Sequence, residues 1–147
     1  MTTIKEHNPL HLQGKFIALV AAGGVFGALA RYGLGLAIPA PGAWPLPTLV
    51  INLSGALALG ALLEGLSRRG PDVGNRRVLR LALGTGFLGA YTTYSTFALD
   101  AVHLFSAGAA TAAAGYLAAS LLGGAAATTA GIWIGAWHHR RARGHRT

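Results

Sequence analysis

The residues of this chain that could do chemistry inside an apolar sequence are neutral. From Gly84 to Asp100 it reads GTGFLGAYTTYSTFALD, where glycines at 84, 86 and 89 lead into Tyr91, Thr92, Thr93, Tyr94, Ser95, Thr96 and Phe97. Asn52 sits deep in another apolar run, and Tyr116, Ser120, Gly124 and Thr128 recur every four residues in a third. That spacing puts three hydroxyls on one helix face, with a gap at Gly124. Amide and hydroxyl hydrogens and the edges of aromatic rings all carry partial positive charge. Donors with no counter-charge suit a small anion better than a cation, and a narrow route lined with them can replace a hydration shell. Each feature also has a structural reading. Asn52 could simply bond to a neighbouring helix, and serine and threonine can bond back to their own helix.

Apolar runs long enough to cross a bilayer hold these groups. The sequence is 52% hydrophobic and 11% charged, with no cysteine, which is too apolar for an ordinary soluble domain. A run of about 20 apolar residues spans the hydrocarbon layer. Four such spans are expected, at 16–38, 48–66, 79–105 and 111–137, in a single domain covering 1–147, with a basic tail at 138–147. The first span is too long, and interrupted by Arg31, to read as a cleaved signal peptide. Glycine and β-branched threonine are poor helix formers, so the third helix is expected to break within Gly84–Asp100. Any backbone group freed there needs a partner in the bilayer. Small residues four apart, Gly23/Gly27, Ala56/Gly60 and Gly131/Gly135, predict close helix packing.

The net charge of +8 would point to nucleic acid in a soluble protein. Here position matters more than the sum, and no nucleic-acid partner is expected. Eleven of the twelve Lys and Arg residues fall in the N-terminal segment, the loop around 67–80 and the C-terminal tail, leaving Arg31 inside a span. The bias predicts both termini and the central loop in the cytoplasm. The tail would serve topology and solvation, or attract anionic lipid. No triad context, phosphate-cradling lysine loop or carboxylate pair supports an enzyme.

Three stretches, GGVFGALARY (23–32), PTLVINLSG (47–55) and GFLGAYTTYSTFALD (86–100), resemble the Fluc (CrcB) family of fluoride channels, in order and over nearly the whole chain. The resemblance implies an all-α integral membrane protein of a bacterial cell membrane, with four transmembrane helices, a broken third helix and an antiparallel, dual-topology-type dimer. It implies a fluoride pathway at Asn52, Tyr94, Ser95, Thr96, Phe97, Tyr116, Ser120 and Thr128, with Arg31 at a vestibule. It further implies a structural, untransported Na+ on the backbone carbonyls of Gly89 and Thr92. Tyr94 stands where phenylalanine is usual, Asp100 replaces glutamate, and Gly124 lacks the common hydroxyl. The implied function is passive export of cytoplasmic fluoride.

Two other functions remain open at this level. A proton-coupled small multidrug-type exporter needs an intramembrane carboxylate that the first span lacks. A non-transporting membrane subunit would use the polar residues only for packing. The eleven-to-one charge bias also favours one orientation, so the second subunit is either the same chain or an oppositely oriented paralogue.

Overall fold

Proline and glycine set the limits of the helices. A computed structural model describes residues 13–40, 42 and 44–144. The N-terminal segment with Lys5 and Glu6, Pro41 of the first loop and Arg146 of the tail lie outside the described residues. Helix α1 (Gly14–Ala37) stops where Ile38, just before Pro39, turns extended. Helix α2 (Leu46–Ser67) carries Pro47 in its first turn, where a missing amide costs nothing. Helix α6 (Ala110–Gly144) follows Gly108, whose φ of 73° closes the preceding helix.

The third apolar run is not one helix. It comprises α3 (Asn75–Leu79), nine residues of wide π-helical turns (Arg80–Leu88), the single turn α4 (Gly89–Tyr91) and α5 (Tyr94–Ser106). Thr92 and Thr93 between the last two are extended, with ψ of 158° and 123°. The expected break is therefore real, and it falls at the end of the Gly89–Thr92 stretch. Three of the helices, α1, α2 and α6 to His138, are each long and apolar enough to cross a membrane. The described residues contain no strand, and the protein is a helical, multi-pass membrane protein.

Two boundaries differ from the sequence reading. Helix begins at Asn75 inside the polar loop, because Asp72 accepts from Arg80 (2.7 Å) and Arg77 donates to the Asp72 carbonyl (2.9 Å), which ties the loop to the helix start. Those arginines, Arg80 foremost, hold the exposed Asp72 carboxyl below its usual pKa. The C-terminal tail continues α6 to Gly144, since nothing between Trp137 and Arg143 interrupts a run of adequate helix formers.

Two helix pairs dominate the packing, α2 on α6 and α1 on the π-helical segment. Both are built on bare backbone. A Cβ at Gly23 or Gly27 would overlap the carbonyl oxygen of Ala82 or Phe87. A Cβ at Gly60, Gly131 or Gly135 would likewise strike carbonyls across the α2–α6 seam. In lipid such close approach is what drives helices together. Overpacking a tight seam typically costs about 1–3 kcal/mol, and rigid backbone yields less than side chains do. Gly131→Leu should therefore abolish a monodisperse peak in size-exclusion chromatography, whereas Gly35→Leu, which meets open space, should elute as the parent does. Equal behaviour of the two would contradict this seam.

Candidate functional site

The site is organised by backbone groups that the break releases. Asn52, half-buried on α2, answers two of them at once. Its Nδ2 donates to the Thr93 carbonyl at 2.9 Å, and its Oδ1 accepts from the Thr93 amide at 2.8 Å. The carboxamide thus pairs with an extended residue much as a neighbouring strand would. An unpaired buried polar group costs about 1–3 kcal/mol, and more in hydrocarbon. One turn further along α2, a Cβ at Gly55 would overlap the Thr92 methyl, so the missing side chain is the seat for the break. Ser54 shares a 2.8 Å hydrogen bond with the Tyr91 hydroxyl. Residues 52–55 therefore form a dock for the interrupted helix.

Thr93 starts the chain again. Its hydroxyl accepts from the Thr96 amide at 3.2 Å and caps α5, while donating to the Thr96 hydroxyl at 3.0 Å. Ser95 Oγ lies 3.3 Å from the same oxygen. On the other side, Thr92 Oγ1 and the Thr92 amide both donate to the Leu88 carbonyl. The Thr92 carbonyl accepts a long contact, 3.5 Å, from Arg31 Nη1. Because the Thr93 amide turns to Asn52, it does not close a helical turn on the Gly89 carbonyl. The Thr96 amide likewise goes to Thr93 Oγ1, so the Gly89 and Thr92 carbonyls both lack their helical amides.

A cleft of about 660 Å³ opens beside the break. Asn52, Tyr94, Phe97, Ser120 and Thr128 all line it, so the structure gathers these residues from α2, α5 and α6. Tyr94 at its lip is 80% exposed. The Ser120 hydroxyl is buried with no hydrogen-bond partner among the described residues. Thr128 instead donates to the Gly124 carbonyl at 2.9 Å, and a Cβ at Gly124 would meet only open space. The α5 dipole adds partial positive charge at Tyr94 and Ser95.

The remaining candidates lie outside the cleft wall. Ser95 and Thr96 belong to the capping cluster around Thr93. Tyr116 is fully buried behind Phe97, their ring centroids 5.4 Å apart, and its hydroxyl approaches Asp100 at 3.5 Å. Ring packing completes the row from the loop side: Trp44 meets Tyr116 edge-on at 6.4 Å, and Tyr94 stands 6.0 Å from Phe97. Arg31 sits half-buried at the break. Sequence reasoning overlooked Thr93 and Gly55. For Thr93 a usable signal was present, a hydroxyl residue directly before a helical apolar run.

A sequence model of the family described as "CrcB-like protein, Camphor Resistance (CrcB)" matches residues 18–132. The chain is similar to a fluoride-specific ion channel, FluC 2, of Leifsonia xyli subsp. xyli, 48% identical over 128 residues that cover 87% of this chain and 88% of the relative. It is also similar to the fluoride-specific ion channel FluC of Chloroflexus aurantiacus, 41% identical, covering 82% of this chain and 95% of the relative. The FluC of Agrobacterium fabrum is 42% identical, covering 81% and 94%.

Replacing Asn52 tests the dock. Asn52→Ala strands both Thr93 backbone groups, and should lower stability in detergent by about 2–4 kcal/mol, read as an earlier thermal transition. Asn52→Asp retains an acceptor for the Thr93 amide but sets a carboxylate oxygen against the Thr93 carbonyl, so it too should melt early. A parental transition in both would remove the pairing from the account.

Proposed function

The chain belongs to the CrcB family, and we propose that it is a fluoride-specific channel that lets cytoplasmic fluoride leave down its electrochemical gradient. It is not an enzyme, since its relatives are named ion channels. The observation that carries the reading is the cleft, where the unpartnered Ser120 hydroxyl and the second Nδ2 hydrogen of Asn52 stand with the ring edges of Tyr94 and Phe97. These are fixed donors with no cation among them, so a small anion exchanges its waters for N–H, O–H and ring C–H groups. Thr128, and Tyr116 behind Phe97, continue the route along α6. Ser95 and Thr96 act on it by holding the α5 end, and Arg31 supplies positive charge near the break.

A second subunit closes the open side. In one protomer Tyr94 is 80% exposed and the cleft is unwalled beside it. An antiparallel dimer of four-span subunits supplies the missing wall and makes two pathways. The spans are α1, α2, the broken third run and α6, with both termini in the cytoplasm. The charge bias favours a partner of opposite orientation encoded by a different chain, over a second copy of this one. Finding this chain alone in both orientations, in conducting dimers, would replace that partner with itself.

The break would also hold a structural Na+. The Gly89 and Thr92 carbonyls fit it, being hard oxygens left without their usual helical amides. Two related subunits would offer four. Bound there, the ion would supply fixed positive charge to these carbonyls.

Fluoride efflux from liposomes, measured with an ion-selective electrode, tests this reading. The protein, alone or mixed with a partner chain, should release fluoride but retain chloride. Phe97→Ile removes ring edges and should slow release about tenfold, the scale of one lost aromatic contact. No fluoride release under either condition would favour a non-transporting subunit.

A further inference from the structure

A second concavity lies at the end of the bundle that carries the polar loop. It measures about 320 Å³ and runs between the ends of α2 and α6 and the start of the π-helical segment. Leu62, Leu79, Leu83 and Ile134 make up its apolar lining, or floor, and Arg69 and His138 are exposed in its wall. Both heads stand where apolar helix gives way to polar sequence. The apolar stretch of α2 ends at Ser67, and that of α6 ends at His138 itself. Trp137 and Arg141, stacked at 3.9 Å, mark the same level.

Arg69 differs from the other arginines of the loop. Arg68 pairs with Glu64, Arg76 donates to the Pro71 carbonyl, and Arg77 and Arg80 are held by Asp72. The Arg69 guanidinium has no hydrogen bond or ion pair among the described residues, the one bond of the residue being from its backbone amide to the Leu66 carbonyl. A guanidinium kept clear of every nearby acid, above an apolar groove at headgroup depth, has the chemistry of a phosphate receptor. His138 adds a ring N–H donor whether neutral or protonated.

We propose that this groove binds an anionic phospholipid, its phosphate on Arg69 and His138 and its acyl chain along Leu62, Leu79, Leu83 and Ile134. The occupant is a lipid and not free phosphate, because the floor is apolar and opens where acyl chains begin. Anionic headgroups match the pair of donors in charge, and basic pockets between transmembrane helices on the cytoplasmic side recognise lipid in this way. The site lies apart from the cleft and does not depend on the fluoride reading.

Native mass spectrometry of the full-length protein, titrated with phosphatidylglycerol and with phosphatidylcholine, provides the test. Phosphatidylglycerol should remain bound at concentrations where phosphatidylcholine does not. Arg69→Gln and His138→Gln should each weaken it about fivefold, Arg69→Lys should preserve it, and Leu83→Trp should block it by filling the floor. Fluoride release by these variants should equal that of the parent. If Arg69→Gln fails to fold, judged by circular dichroism, His138→Gln and Leu83→Trp decide the matter. Equal retention of both lipids, parental binding in the folded variants, or displacement by millimolar inorganic phosphate would overturn the proposal.

Discussion

Two hydrogen bonds between one side chain and one backbone residue, Asn52 and Thr93, allow this helix to be broken inside a membrane. Hydrocarbon offers no water to an amide or carbonyl that leaves its helix. A carboxamide is the neutral side-chain group that presents one donor and one acceptor side by side, as an extended residue does. Gly55 then admits Thr92 to the α2 surface, and Thr93 caps the helix that resumes. Without the pairing, both backbone groups of Thr93 would be left unpaired in hydrocarbon. Beyond the break, Tyr94 and Phe97 of α5 line the cleft together with Ser120 of α6.

The same break separates two chemistries. On the α4 side it releases carbonyl oxygens, which suit a cation. On the α5 side it begins a helix whose dipole, ring edges and hydroxyl neighbours suit an anion. Both polarities come from a few residues because a helix end exposes oxygens and a helix start exposes amides. Among the charged side chains, Arg31 lies along the Thr92 carbonyl, Glu64 belongs to the cleft lining and Asp100 meets the Tyr116 hydroxyl. Glycine seams on either side hold the geometry rigid, since backbone against backbone leaves little room for adjustment.

Much of this was legible in the chain. Four apolar runs, the glycine pairs and the weakness of Gly84–Asp100 as helix follow from composition and spacing. The gathering of Asn52, Tyr94, Phe97, Ser120 and Thr128 was marked by residue type and by the resemblance to the Fluc (CrcB) family. What spacing could not supply was partnership. Ser95 and Thr96 look equivalent to cleft residues in sequence, yet the Thr93 hydroxyl claims both. Tyr116 shares a helix face with Ser120, but Trp44 and Phe97 enclose it. The π-helical turns over Arg80–Leu88 have no simple periodic signature, and they lie against the bare backbone of α1 at Gly23 and Gly27. The continuation of α6 to Gly144 was hidden by charge, which marks solubility but does not stop a helix.

Hydrogen exchange at the Thr93 amide in bilayers reads the pairing of Asn52 with the break. With Asn52 Oδ1 accepting from it, that amide should exchange as slowly as those of the adjoining helical turns at Leu88 and Thr92. Exchange as fast as at Gly108, in the turn between α5 and α6, would show the break unpaired and contradict the account.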